Sequence, residues 1–79
     1  MVIRVIGSGC KECDTLYNNV IEAVKETAVD AKVLRVKELV EIVMLGVMTA
    51  PSLMIGQKLV ISGRVASVKE IIEKIEENQ

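Results

Sequence analysis

A short β-branched run that stops at small residues limits how this chain can fold. Val2 to Ile6 is mostly apolar and ends at the small residues Gly7 to Gly9, which predicts a strand buried on both faces. Apolar residues then recur at helical spacing from Cys13 to Val24, with polar residues between them. Ala31 to Val36 is a second apolar run. A strand, helix and strand of these lengths predict a right-handed crossover between parallel strands.

The middle of the chain predicts one more helix and a hairpin. We expect a helix from about Glu38 to Leu45, ending at Gly46. Its interior face is expected to include Leu39, Ile42 and Val43, with Met44 and Met54 as core filler. Two apolar runs, Leu53 to Ile55 and Leu59 to Ile61, flank a three-residue turn at positions 56–58 and predict a hairpin.

The last helix has the clearest start signal. Ser67 and Glu70 form an S-x-x-E capping box, and an apolar stripe follows at Val68, Ile71, Ile72 and Ile75. The polar end, Glu73 to Gln79, is expected to fray. The predicted order is strand, helix, strand, helix, strand, strand, helix. This is an α/β fold with helices on both faces of a four-stranded mixed sheet.

Length and charge narrow the functional classes. A chain of 79 residues has room for one core, so we expect a single domain spanning residues 1–79. The 51% of hydrophobic residues supply that core. The net charge of -1 and the absence of a long single-sign block argue against nucleic acid as a partner. No apolar run reaches the roughly 18 to 20 residues of a membrane helix, and we expect a cytoplasmic monomer.

The motif that can carry chemistry is the cysteine pair in Gly9-Cys10-Lys11-Glu12-Cys13. It lies where the first strand is followed by the first helix. Cysteines at i and i+3 share one face of a helical turn, close enough for a disulfide, whose Cα atoms lie roughly 4.4 to 6.8 Å apart. Cys10 stands at the helix N-terminus, where free N–H groups favour a thiolate. We therefore predict Cys10 as the nucleophile and Cys13 as the resolving thiol.

Other interpretations of the pair remain open at this point. The two cysteines could be small buried hydrophobic residues. A single C-x-x-C could also hold a soft ion such as Cu(I), although it lacks the other two ligands of a structural zinc site. The chain contains no histidine, which excludes Cys-His catalysis and histidine-containing zinc sites. Gly7 and Gly9 lack the third glycine of a dinucleotide fingerprint, because Glu12 stands there.

Two stretches together resemble the thioredoxin and glutaredoxin superfamily, and above all its small thioredoxin-like redox proteins. They are G-S-G-C-K-E-C near the N-terminus and G-V-M-T-A-P-S-L-M-I-G-Q-K-L-V-I-S-G-R-V further on. The resemblance implies a thioredoxin-like fold and a thiol-disulfide oxidoreductase that acts on protein disulfides through Cys10 and Cys13 in cell redox homeostasis. It further implies a thioredoxin-type reductase as partner, no bound cofactor and no metal ligands. Substrate binding is implied for Thr49, Ala50 and Pro51, with Pro51 in cis facing the disulfide.

The chain also departs from those families. Gly9 takes the place of the thioredoxin tryptophan, and Lys11 and Glu12 replace its Gly-Pro pair. The strand before the motif contains no carboxylate, so proton transfer at Cys13 is expected to use water or Glu12. The Gly-Gly-x-x-Asp stretch of glutaredoxins is also missing, and glutathione is not an expected partner. A soft-metal or metalloid binding module that uses the same two sulfurs remains the alternative function.

Overall fold

The computed structural model describes all residues from 1 to 79. Seven elements follow one another: β1 (Val2–Ile6), α1 (Lys11–Thr27), β2 (Lys32–Val36), α2 (Leu39–Met44), β3 (Ser52–Ile55), β4 (Lys58–Ser62) and α3 (Val68–Glu77). The order of strands and helices predicted from the sequence is confirmed, and so is the α/β class. None of the three helices is long and apolar enough to cross a membrane.

The four strands form one mixed sheet in the order β2-β1-β3-β4. Strands β1 and β2 are parallel, while β3 runs antiparallel to both β1 and β4. Ile6 is opposite Val36 on one side and Ser52 on the other. The C-terminal ends of β1 and β2 and the start of β3 therefore lie at one edge of the sheet. Just past this edge the Gly7 N–H donates to the Val36 carbonyl at 3.0 Å.

The two faces of the sheet carry cores of unequal size, because successive strand residues point to opposite faces. Ile3 and Val5 face the larger core, which packs under α1 and α3 and contains eleven buried residues. Ile6 faces the other side, in a cluster of four buried residues that is covered by Ile42 of α2 and by Leu45, the C-cap residue of that helix. Helices thus cover both faces, as predicted.

Helix α1 is held by its buried stripe. Its buried residues recur at helical spacing: Cys13, Leu16, Val20 and Ala23. The helix ends at Ala28, whose positive φ of 54° lets its N–H donate to the Val24 carbonyl at 3.1 Å. The buried stripe and this left-handed end set the length of α1.

Helix α2 faces the sheet differently from the sequence prediction. Gly46, at φ 76°, ends the helix as predicted, and the Val47 N–H donates to the Ile42 carbonyl at 3.3 Å. The chain reverses direction at Gly46, which packs Val47 with Ile42 and turns that side of the helix inward. The prediction that Leu39, Val43 and Met44 face the core is wrong, because all three side chains are exposed.

The ends of the chain's last elements also differ from the prediction. Lys58 pairs with Ile55, so the hairpin turn has two residues rather than three. Helix α3 continues to Glu77 through the segment expected to fray.

Arg64 forms a bidentate ion pair with Glu70 in the first turn of α3, with Nη1 2.9 Å from Oε1. This guanidinium holds the pKa of the Glu70 carboxyl below its usual range.

Replacing Ser67 with alanine should lower the free energy of unfolding by about 1 kcal/mol, the usual contribution of an N-cap side chain. The reason is that Ser67 Oγ accepts the Glu70 N–H at 3.1 Å at the start of α3. Urea unfolding measures the change. Ser67→Asp is the matched control, because aspartate also caps well and should retain the stability. Equal losses in both variants would contradict the capping explanation.

Candidate functional site

Cys10 and Cys13 are joined in a disulfide at the edge of the sheet where β1 ends. The S–S distance is 2.01 Å and the two Cα atoms are 5.1 Å apart. The chain has no free cysteine. The structure therefore brings together the two cysteines that the sequence singled out.

The two sulfur-bearing residues differ sharply in their surroundings. Cys10 is half-buried and is the N-cap of α1, with an extended backbone. Its Sγ accepts the Cys13 N–H at 3.0 Å. Cys13 is fully buried, one turn into the helix. An amide donor and a helix N-terminus both stabilise negative charge on sulfur, so a Cys10 thiolate is favoured over a Cys13 thiolate.

Gly7 makes room for the buried sulfur. It is itself buried, and a Cβ placed on it would overlap the Cys13 Sγ. Its φ of 151° is also one that residues with a side chain rarely adopt. The turn from β1 into α1 can close over Cys13 only because position 7 lacks a side chain.

The segment before β3 lies against the same turn. A Cβ on Gly7 would be 3.7 Å from the Ala50 Cβ, so Ala50 lies beside the cysteine motif. Ala50 is exposed, whereas Pro51 is buried, and the peptide bond between them is cis. The structure thus places Ala50 next to the turn that carries the disulfide.

A cluster of hydroxyl groups holds this segment to the sheet. Thr49 Oγ1 lies 3.0 Å from Ser52 Oγ and 2.7 Å from Ser62 Oγ. The fully buried Ser52 also donates to the Thr49 carbonyl at 2.7 Å. The Thr49 hydroxyl therefore bonds within the protein, and Ala50 is left as the exposed part of the segment. Sequence reasoning missed Ser52 and Ser62. For Ser52, a hydroxyl group in a strand of otherwise apolar residues was a usable signal.

The charges around the motif are partly paired. Arg35 Nη2 lies 2.9 Å from Asp14 Oδ1, and the guanidinium carbon lies 5.1 Å from the centre of the Tyr17 ring. A paired Asp14 opposes a nearby thiolate less than a free carboxylate would. Sequence reasoning did not identify Arg35, whose only signal was a cation within an apolar strand.

The soft-metal alternative has no support in this geometry. No three side chains among the His, Cys, Asp and Glu residues are grouped so that they could hold a metal ion. The two candidate sulfurs are bonded to each other. Metal binding is therefore not supported as the function of this pair.

Comparisons with known proteins agree with the disulfide chemistry that the Cys10 and Cys13 pair can carry out. A sequence model described as the thioredoxin domain matches residues 1–76. A thioredoxin of Methanothermobacter thermautotrophicus strain Delta H is 44% identical over 75 residues, which cover 95% of this chain and 96% of that protein. A thioredoxin of Methanocaldococcus jannaschii is 36% identical over 75 residues, which cover 95% and 86% of the two chains. The similarity thus extends over nearly the whole length of each protein.

Replacing Gly7 with alanine should destabilise the oxidised protein by roughly 2 to 4 kcal/mol, because the added methyl group overlaps a buried sulfur in a tightly packed site. Gly9→Ala is the matched control. Gly9 has a positive φ of 63° with nothing within 4 Å of its added Cβ, so only the backbone cost of about 1 to 2 kcal/mol applies. Urea unfolding of the oxidised proteins compares the two. Equal losses would show that the contact with Cys13 is unimportant.

Proposed function

Because the chain belongs to the thioredoxin domain family and is a thiol-disulfide oxidoreductase, we propose that Cys10 is its attacking sulfur and Cys13 its resolving sulfur. One observation carries the assignment: Cys10 is the half-buried N-cap and accepts an amide hydrogen bond, while Cys13 is fully buried. A substrate can reach only the first of these sulfurs. The second can react once the first has delivered a disulfide to it.

In the first step the Cys10 thiolate attacks one sulfur of a protein disulfide. The substrate S–S bond breaks, a mixed disulfide forms with Cys10, and the released substrate thiolate takes a proton from water. In the disulfide form the Cys13 N–H lies 3.0 Å from Cys10 Sγ, and this donor is placed to stabilise the attacking thiolate in the reduced form. Favouring the thiolate raises the fraction of reactive nucleophile at neutral pH.

In the second step Cys13 gives its proton to water or to Glu12, and its sulfur attacks Cys10 Sγ. This forms the Cys10–Cys13 disulfide and releases the second substrate thiolate, so two electrons have passed to the substrate. Family membership implies protein substrates and a reductase that returns the two electrons. No bound cofactor is required for either step, since the cysteines carry both electrons.

We assign substrate positioning to the segment Thr49 to Pro51. Ala50 is exposed beside Gly7, so an extended substrate segment can pair with its backbone as an added strand. Pro51, the next residue, is buried and therefore anchors this end of the segment in the protein. The Thr49 side chain holds the segment in place through Ser52 and Ser62.

We further propose that residues 1–79 act as one domain, as a monomer in the cytoplasm, with a thioredoxin-type reductase as partner. One continuous sheet joins both cores, which supports a single domain. Both cysteines of the chain form the reactive pair, a use of cysteine typical of reducing compartments.

In the reduced protein, iodoacetamide should label Cys10 faster than Cys13 by roughly tenfold or more, because thiol reactivity follows thiolate fraction and access. Mass spectrometry of peptides after brief labelling near neutral pH measures the two rates. Labelling of the urea-unfolded protein is the control, and the difference should largely disappear there. Faster labelling of Cys13 in the folded protein would reverse the proposed roles.

Cys13→Ser, incubated reduced with oxidised insulin, should accumulate a mixed disulfide through Cys10, because the resolving sulfur is missing. Cys10→Ser is the matched variant and should accumulate little, because its remaining thiol is buried. Mass spectrometry of acid-quenched samples detects the adducts. Similar amounts of adduct in the two variants would refute the ordered mechanism.

A further inference from the structure

Arg35 is a charged side chain at a position where the neighbouring strand residues are apolar. It stands in β2 between Leu34 and Val36. It pairs with Val5 in the parallel register of β1 and β2. Paired residues of adjacent strands share one face of the sheet, so Arg35 lies on the side of the larger core and of α1. Only 21% of its side chain is exposed.

The guanidinium group of Arg35 contacts two residues at the beginning of α1. Its Nη2 lies 2.9 Å from Asp14 Oδ1, and its central carbon lies 5.1 Å from the centre of the Tyr17 ring. Its Nε is buried and has no hydrogen-bond partner. A buried donor without a partner costs free energy, and an apolar side chain would avoid that cost. The stability of the fold therefore does not explain why an arginine stands here.

Asp14, the partner of Arg35, follows Cys10 by one helical turn. The Asp14 N–H donates to the Cys10 carbonyl at 3.2 Å, and residues four apart along a helix are neighbours. A carboxylate near a thiol opposes its ionisation, and an adjacent cation offsets this effect. Without Arg35, Asp14 would therefore work against the thiolate that the N-cap position of Cys10 favours.

The other charged groups near this edge of the sheet are either exposed or paired with each other. They are Lys11 and Glu12 of α1, Lys37 and Glu38 after β2, Glu41 of α2, and the pair formed by Arg64 and Glu70. The first four form two adjacent pairs of opposite sign, and the segment from Thr49 to Pro51 carries no charge. The contact between Arg35 and Asp14 is therefore the ion pair that sets the net charge one turn from Cys10.

We propose that Arg35 is a positioning residue for thiol exchange: its guanidinium holds and neutralises the Asp14 carboxylate, which keeps the Cys10 thiolate favoured at neutral pH. Arg35 acts through Asp14 and not on the substrate. This rests on the proposed function, in which Cys10 attacks. The packing at Gly7 decides which sulfur attacks, and Arg35 decides at which pH that sulfur is ready to react.

The test measures how fast iodoacetamide alkylates Cys10 in the reduced full-length protein from about pH 5 to pH 10, a range that spans thiol ionisation. Mass spectrometry of peptides gives the rate at each pH. Arg35→Met removes the charge and keeps an unbranched stem, whereas Arg35→Lys keeps the charge. Asp14→Asn and the double variant Asp14→Asn/Arg35→Met test the partner. Arg4→Met is the matched control, because Arg4 is a part-buried strand arginine bonded to the Gly56 carbonyl at the opposite end of the sheet.

Arg35→Met should raise the midpoint of the Cys10 alkylation profile by roughly 0.5 to 1 pH unit, the size expected for one charge several ångströms away near a protein surface. Well below the midpoint, this shift corresponds to a roughly three- to tenfold smaller thiolate fraction. Asp14→Asn should lower the midpoint, and the double variant should return close to the wild-type value. Arg35→Lys and Arg4→Met should leave the midpoint near that of the wild type.

An unchanged midpoint in Arg35→Met overturns the proposal, even where that variant is less stable, because the role of Arg35 is then structural. Equal upward shifts in Arg35→Met and in the double variant also overturn it, since the effect would not pass through Asp14. The proposed function fails separately: in that case Cys13 of the wild-type protein is alkylated faster than Cys10, whatever the variants show.

Discussion

The contact between the backbone of Gly7 and the sulfur of Cys13 is the constraint on which the reactive edge depends. Because a side chain at position 7 would overlap that sulfur, only glycine lets the chain turn from β1 into α1 with Cys13 buried. Once Cys13 is buried, Cys10 falls at the N-cap, half-buried and bonded to an amide. The difference between the two thiols thus originates in a packing contact rather than in a charged neighbour.

The two faces of the sheet have different tasks. Helices α1 and α3 cover one face with the larger core, and this core supplies the rigid platform for the cysteine motif. The other face is covered by the six-residue helix α2, which packs against the sheet through Ile42 and through Leu45, the residue that caps its C-terminus. A helix this short cannot bury an apolar surface on every side. The remaining apolar side chains stay in contact with solvent at the same edge as Cys10.

Long-range polar contacts complete the site. The Asp14 carboxylate in the first turn of α1 is paired with Arg35 from β2, and Thr49 is tied to Ser62 of β4. Each pair joins residues distant in sequence, so neither could be predicted from a local pattern. The cysteine spacing and the Ala50-Pro51 segment, by contrast, were visible as local motifs. These local motifs identified the chemistry, and the distant pairs determine how it is held in place.

The sequence by itself determined the order of the elements, the reactive cysteine pair and the capping of α3, because each depends on neighbours within a few residues. It could not orient α2, because apolar residues occupy nearly every position from 39 to 47 and no helical face stands out. Only the tertiary structure decided that question, through the packing of Ile42 and Val47 against Ile6, Val36 and Met54. The same packing decided which apolar side chains remain exposed, since burial depends on contacts between segments that are far apart in the chain.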